Sequence, residues 1–294
     1  MKGKLDRQMS QNWADSELSS KELQSLIRFC ATQVGLSYTN TKKTLLQTRI
    51  RKRQVELGFD TLSQYLNYVL PLPAKHPEKL NLIDVLTTNT TSFFREAHHF
   101  DVLIERVVSA FLKNPNTKRH DKFRVWSAGC SIGAEPYSLA MVLKDFKEKH
   151  HQFNFEIVAN DICLRALEVA KNGVYPHSEV EKIDIHLRKK YLLRNKKSDK
   201  VKVCADLMNT VTFHHYNMLR EPPPFKGDFD AIFCRNVMIY FSEQDNHELF
   251  KLFYSALKPD SYLLIGHSET MQSEFIQGHK GFKALGGSVY QKVK

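Results

Sequence analysis

The chain has 294 residues, 42% of them hydrophobic, enough for one large domain or two small ones with a real core. Its 43 Lys and Arg against 32 Asp and Glu give a net charge of +11, which favours an acidic partner (nucleic acid, an anionic membrane surface or an acidic protein) without choosing among them. No apolar run approaches the roughly 20 residues that span a bilayer, and residues 1–13 lack the apolar core of a secretory signal. Five scattered cysteines (Cys30, Cys130, Cys163, Cys204, Cys234) form no C-x-x-C pair, so reduced thiols in a cytoplasmic protein are expected and structural zinc is not.

Residues 1–17 are expected to be a flexible tail. Ser19-x-x-Glu22 reads as a capping box. Leu23, Leu26, Ile27, Cys30, Ala31 and Val34 mark one face of a helix that Gly35 closes. A second helix is predicted over residues 42–57, stopped by Gly58. It carries Lys42, Lys43, Arg49, Arg51, Lys52 and Arg53 with no acid before Glu56, which suits either a solvated face or a docking surface. Residues 61–70 read as a third helix. Pro71, Pro73 and Pro77 are expected to break the chain before a fourth, with Leu80, Ile83 and Leu86. Together these predict a small all-helical domain over residues 18–87. The polar, β-branched run that follows reads as a linker (residues 88–95) able to cross a cleft and touch a polar ligand, or alternatively as a helix cap with a surface arginine. A helix is predicted over residues 97–112, and the two rings of His98-His99 are expected to point apart, as are those of His214-His215.

Phe123 and Val125 alternate through a strand, Gly129 and Gly133 form a tight turn, and a helix follows with Pro136 in its first turn. Strand, glycine turn and helix are the first unit of a doubly wound sheet, the glycines letting a ligand approach the backbone. The turn is G-x-x-x-G, short of the full dinucleotide fingerprint. Phe153, Phe155 and Ile157 alternate through a second strand ending at Asn160-Asp161. An acid there suits a ribose diol, or a helix N-cap. After Gly173 the pattern lapses into a basic insert (about 174–213) that includes Lys196 and Lys197, read as a helix and small antiparallel strands. The sheet resumes near residues 211–217. Residues 229–234 form a buried strand with Arg235-Asn236 at its carboxyl end, where ligands bind in such sheets. Ser242 caps a helix that is expected to stop at Pro259, residues 262–266 form another strand, and the chain ends in a hairpin around Gly286-Gly287. A helix-flanked sheet ending in a hairpin points to a methyltransferase rather than a dehydrogenase.

Four motifs carry a resemblance: T-T-N-T-T-S-F-F-R-E-A-H-H-F (residues 87–100), V-W-S-A-G-C-S-I-G-A-E-P-Y-S (125–138), A-N-D-I (159–162) and F-C-R-N-V-M-I-Y-F (233–241). In this order they resemble the CheR family, the glutamate O-methyltransferases of chemotaxis receptors. The family's usual Thr-Gly-Glu-Glu-Pro-Tyr is here Ile132-Gly133-Ala134-Glu135-Pro136-Tyr137, so the acid before Pro136 is kept and its neighbour is alanine. The resemblance implies a Rossmann-like class I S-adenosylmethionine-dependent methyltransferase sheet (residues 96–294) with the helical amino-terminal domain and the inserted antiparallel β-subdomain. It implies S-adenosylmethionine as methyl donor and S-adenosylhomocysteine as product. It further implies that Asn89, Thr91 and Arg95 touch the methionine end or neighbouring cofactor groups, that Glu135 binds the amino group and Asp161 the ribose, and that Asn217 and Met218 flank the adenine, with Gly129 also among the cofactor-binding residues and Arg235 and Asn236 closing the pocket. Arg95 and Tyr240 are the implied catalytic residues. The implied partner is the cytoplasmic helices of methyl-accepting receptors, met by the basic helix. A receptor tail peptide would add to the β-subdomain, where residues 197–203 offer an edge. A monomer with no metal, no nucleic-acid partner and no membrane insertion is expected. Two rival readings are methylation of another acidic substrate or nucleic acid, and a cofactor-sensing relative without activity, which Ala134 leaves open. Against nucleic acid, the chain lacks a D/N-P-P-Y-type tetrapeptide, and Pro222-Pro223-Pro224 lies in a turn.

Overall fold

The computed structural model describes residues 17–118, 120–195, 198–276 and 281–293. Most of the expected tail, and Lys196 and Lys197, lie outside them. The chain divides into two compact units, Met1–Thr88 and Asn89–Lys294.

The first unit is helical. Ser19 and Glu22 form the capping box that starts α1 (Ser20–Phe29), which runs on as a π-helix (Cys30–Val34) and ends at Gly35 in the left-handed region. α2 (Lys43–Glu56), α3 (Leu62–Val69) and α4 (Pro77–Leu86) follow. Pro77 does not break the chain. It opens α4 at a first-turn position, where its missing N–H has no partner to lose. Leu26, Leu46, Ile50, Leu62, Leu66, Leu82 and Leu86 are buried at 0–1% exposure, so helical spacing places one apolar face of each helix inward.

The second unit is α/β. A helical stretch, α5 (His98–Val102), π-helical Leu103–Val108 and α6 (Ser109–Lys113), leads into β1 (Lys122–Ala128). α7 (Ala134–Lys149), β2 (Asn154–Asp161) and α8 (Leu164–Asn172) complete the first crossovers. The insert carries β3 (Val174–Pro176), β4 (Leu192–Arg194) and β5 (Lys200–Val203). β6 (Val211–His215), β7 (Phe229–Cys234), the helix Glu243–Ala256, β8 (Leu257–Ile265) and the hairpin β9 (Phe282–Ala284) with β10 (Val289–Lys292) finish the chain. The helix capped by Ser242 stops at Ala256, earlier than expected. β8 begins at once and takes in Pro259, beside a shift of its register against β7.

The large sheet runs β6-β2-β1-β7-β8-β10-β9, parallel through β8 and antiparallel at β10. Alternation along each strand feeds two cores. Phe123, Val125, Ile157, Ala231 and Phe233 face one layer with Tyr137, Leu139 and Met141 of α7. Trp126, Ala128, Val158, Ile232 and Cys234 face the other, under Leu249, Phe250 and Phe253. β7 is buried at all six positions, as a central parallel strand must be. The insert is a three-stranded antiparallel sheet of order β3-β5-β4. β5 pairs on both sides, Val174 with Lys202 and Leu192 with Val203, so it offers no edge. The expected edge at residues 197–203 is therefore wrong in its described part; the free edges belong to β3 and β4.

Candidate active site

Strand order reverses between β1 and β7, and a doubly wound sheet binds ligands in the crevice at the carboxyl ends there. The turn after β1 is pinned to β2: Gly129 N and Cys130 N both donate to Asn160 O (3.0 and 2.8 Å). Gly129 (φ 80°) and Gly133 (φ 88°) are left-handed. A Cβ on Gly129 would lie 2.5 Å from Val237 Cγ2, and one on Gly133 2.8 Å from Ala170 Cβ. The close neighbours that demand glycine are thus protein atoms. Asp161 ends β2 with one carboxylate oxygen accepting Ser131 N (2.7 Å) and the other Cys163 N (2.9 Å). Cys163, not Asp161, is the N-cap of α8.

Glu135, in the first turn of α7, accepts from Ser127 Oγ and from Arg235 Nε, both at 2.7 Å. Arg235 is held by buried partners of its own. Its side chain is 2% exposed, and Nη1 donates to Arg95 O (2.6 Å) and meets His99 Nδ1 (3.3 Å). The linker is tied down in the same way: Ser131 Oγ donates to Asn89 O (2.9 Å), and Asn89 Nδ2 reaches Cys163 Sγ (3.1 Å). Thr91 is half-buried between these ties, and the Arg95 guanidinium turns back to Thr90 O (3.2 Å). Phe94, Glu96, Ser131 and Asn236 all have positive φ. Strain in non-glycine residues gathered at one sheet end marks a functional region.

At the other sequence-predicted positions, Asn217 Oδ1 accepts Leu219 N (3.0 Å) in its own turn, and Met218 packs on the second core. Asn236 Nδ2 donates to Glu96 Oε1 (3.3 Å). Tyr240 is half-buried in the 3-10 turn Met238–Tyr240 directly beyond β7.

Sequence reasoning missed Glu96, His99, Ser127, His267 and Glu269. The signals were a polar residue inside a buried strand (Ser127) and G-H-S-E at the tip of β8. The expectation that the rings of His98 and His99 point apart is overturned. They sit 4.1 Å apart, and His267 stacks on His98 at 4.6 Å. Both begin a helix, where the Gly287 carbonyl and Arg235 hold His99 and the His267 ring covers His98. Burial, with Arg235 beside it, pushes the His99 ring down to about 4. Among the described residues no group of three or more His, Cys, Asp or Glu is arranged to hold a metal.

Numbered along the large sheet alone, the strand order is 3-2-1-4-5-7-6 with the seventh antiparallel. With a glycine turn at the reversal and carboxylates beyond the first and second strands, this defines the class I S-adenosylmethionine-dependent methyltransferases. The donor set fits that ligand: two fixed carboxylates, Glu135 and Asp161, suit its amino group and ribose diol. The family model for the CheR methyltransferase all-alpha domain matches residues 21–87, and that for the CheR SAM-binding domain matches residues 89–283. The chemotaxis protein methyltransferase of Borreliella burgdorferi is 38% identical over 94% of this chain and 95% of its own length. That of Salmonella typhimurium is 35% identical over 98% and 94%, and that of Escherichia coli 34% over 98% and 95%. The chain belongs to the CheR methyltransferase family and uses S-adenosylmethionine.

Proposed function

We propose that this enzyme esterifies glutamate side chains on the cytoplasmic helices of chemoreceptors, for sensory adaptation. The observation that supports this reading is the tie from Arg235 to the Arg95 carbonyl, which holds the linker backbone at the carboxyl end of β7 beside Glu135. Bound S-adenosylmethionine supplies an electrophilic methyl group on a sulfonium. Glu135 would hold its amino group with Asn89, Thr91 and Gly129 nearby, Asp161 the ribose, and Asn217 and Met218 the adenine. Arg235 acts by orienting Glu135, and Asn236 by lining the end of β7.

The substrate glutamate is ionised near pH 7, with a reference pKa of about 4.3, and brings its own lone pair. No general base is needed, and none is assigned. Arg95 orients the carboxylate by a charged hydrogen bond, weak enough that ground-state pairing does not slow attack. Tyr240 lines the channel. Held by Glu135 and Asp161, S-adenosylmethionine would give its methyl group to the carboxylate oxygen and leave as S-adenosylhomocysteine. Opposite charges cancel, so excluding water favours the step. Alignment alone can supply several kcal/mol, roughly 7–11 at the limit.

Docking falls to part of the basic helix. Arg49 donates to Leu86 O and to Thr88 Oγ1, both at 2.5 Å, and Arg53 grips Glu78, so these two are structural. We assign to Lys42, Lys43, Arg51 and Lys52, of which Lys43 also pairs with Glu17 (2.7 Å), the cationic face for an acidic receptor helix. A receptor tail peptide would pair with β4, where Leu193 is 60% exposed; β3 ends in Pro176, which cannot donate. None of the five cysteines is in a disulfide, which suits a reducing cytoplasm. Among the described residues no helix is long and apolar enough to cross a membrane.

The test is methyl transfer from labelled S-adenosylmethionine to receptor-bearing membranes, wild type against Arg95→Ala. Label released as methanol by mild base and lost in the variant is expected. Base-stable label, or label on nucleic acid, would sink the substrate assignment.

A further inference from the structure

Glu269 lies just past the carboxyl end of β8 and carries none of the roles assigned above. Its side chain belongs to a residue only 6% exposed, and its carboxylate accepts four backbone N–H groups. Oε2 takes Gly266 N (2.6 Å) and Asn236 N (2.9 Å), and Oε1 takes Met238 N (2.7 Å) and Val237 N (2.8 Å). Consecutive N–H groups aimed into one concavity are how proteins hold a bound anion. Here the chain supplies the anion itself.

Two features are shaped around it. Asn236 is left-handed (φ 59°), which turns its N–H toward the same point as those of the next two residues. Gly266 leaves the room: a Cβ there would lie 2.8 Å from both Asn236 N and Glu269 Oε2. The β7–β8 ladder ends at Cys234 and Ile265, and beyond that pair the carboxylate takes over the connection between the two strands. The clamped turn leads straight into the 3-10 segment of Tyr240, whose N–H donates to Val237 O (3.2 Å).

We propose that Glu269 is a positioning residue for methyl transfer: its carboxylate clamps the 236–238 turn to the tip of β8 and so fixes Asn236 and Tyr240 at the reaction site. Glu269 acts only through these two residues, whose roles are those proposed above. Four donors converging on one carboxylate leave the turn a single arrangement, because any rotation of the turn strands a buried N–H.

Two variants attack the clamp from opposite sides in the full-length protein. Glu269→Gln keeps the volume and sets an amide NH2 against two of the donors. Gly266→Ala keeps the charge and drives a methyl between Asn236 N and the carboxylate. For each, kcat on receptor membranes should fall about ten-fold or more while KM for the receptor changes less than about two-fold. Amides 236–238 should exchange faster by hydrogen-exchange mass spectrometry, measured without cofactor. Glu269→Gln combined with Tyr240→Phe should be non-additive, within about two-fold of the slower single variant. Glu269→Asp, one methylene short with its charge kept, should fall between Gln and wild type in both readouts, and it carries the test if Gln does not fold.

Unchanged exchange in Glu269→Gln refutes the clamp. Wild-type kcat with accelerated exchange refutes its service to the reaction, and a multiplicative loss in the double variant refutes action through Tyr240. Wild-type kcat for Tyr240→Phe alone overturns the role of Tyr240. The exchange data, which need no turnover, tell that failure from failure of the clamp.

Discussion

Arg235→Met should cost the second unit about 3–5 kcal/mol, the usual penalty for removing one partner of a buried ion pair. Methionine keeps much of the packing against Phe100 and Phe233, over which the guanidinium sits at 5.3 and 5.6 Å. What it loses is polar: the bonds to Glu135 and to the Arg95 carbonyl, the contact with His99 and the longer ion pair with Glu96 (3.8 Å). Glu135, 11% exposed, is then a carboxylate held only by Ser127 Oγ. The readout is Trp126, fully buried in β1. It is one of two tryptophans, so Trp13→Phe makes it the sole reporter. The midpoint of thermal unfolding should fall by roughly 10 °C. Adding Glu135→Gln removes the stranded charge, so the double variant should lose less than the sum of the singles by about 1–3 kcal/mol. A loss under about 1 kcal/mol for Arg235→Met, or strict additivity, would refute the picture of Arg235 as the buried anchor of Glu135 and the linker.

His99 sets an acid limit on stability. Its ring titrates at about 4 when folded and 6.5 when free, so the unfolded chain takes a proton that the folded chain refuses. Its contribution is whole above pH 6.5 and should fall by about 3 kcal/mol on acidification to pH 4, a slope that His99→Gln should remove in denaturant titrations at several pH values. Glu78→Gln should raise amide exchange along α2 by about 3 kcal/mol of lost protection, because Glu78 accepts from Arg53, Tyr65 (2.8 Å) and Asn81 (3.1 Å) inside the first unit. Lys42→Glu with Lys52→Glu should raise KM for receptor membranes about ten-fold at low salt and flatten its salt dependence, leaving kcat unchanged; an equal fall in kcat would place these lysines elsewhere in the cycle.

How much of this was legible in the sequence depends on where each residue's partners lie. The capping box of Ser19 and Glu22, the left-handed stops at Gly35 and Gly173, and the alternation of Phe123 and Val125 are local, and each stands where its spacing predicts. Pro77 and Pro259 misled for an equally local reason. Proline signals a break, but a helix's first turn and an irregular strand pairing both tolerate it. Strand β5 was legible as a strand and not as a central one, since its neighbours are set by the chain's return path. Arg235 was legible as a residue at a strand tip. Its partner Glu135, 100 residues earlier, was not. Glu269 is the extreme case, because its partners are backbone N–H groups, which any residue but proline can donate and no letter marks.

The same distinction settles the departure in the glycine turn. Ala134 stands where the family usually has an acid, and on sequence alone its loss makes the loop less polar. Ala134 is 1% exposed and its methyl belongs to the core under α7, while its carbonyl accepts Ser138 Oγ (2.7 Å). A carboxylate at this position would have to find room in that core or swing out of it. The crevice takes its negative charge from Glu135, which Ser127 and Arg235 hold from two sides, and from Asp161, fixed by two N–H groups. Alanine at 134 therefore leaves both of these fixed carboxylates in place.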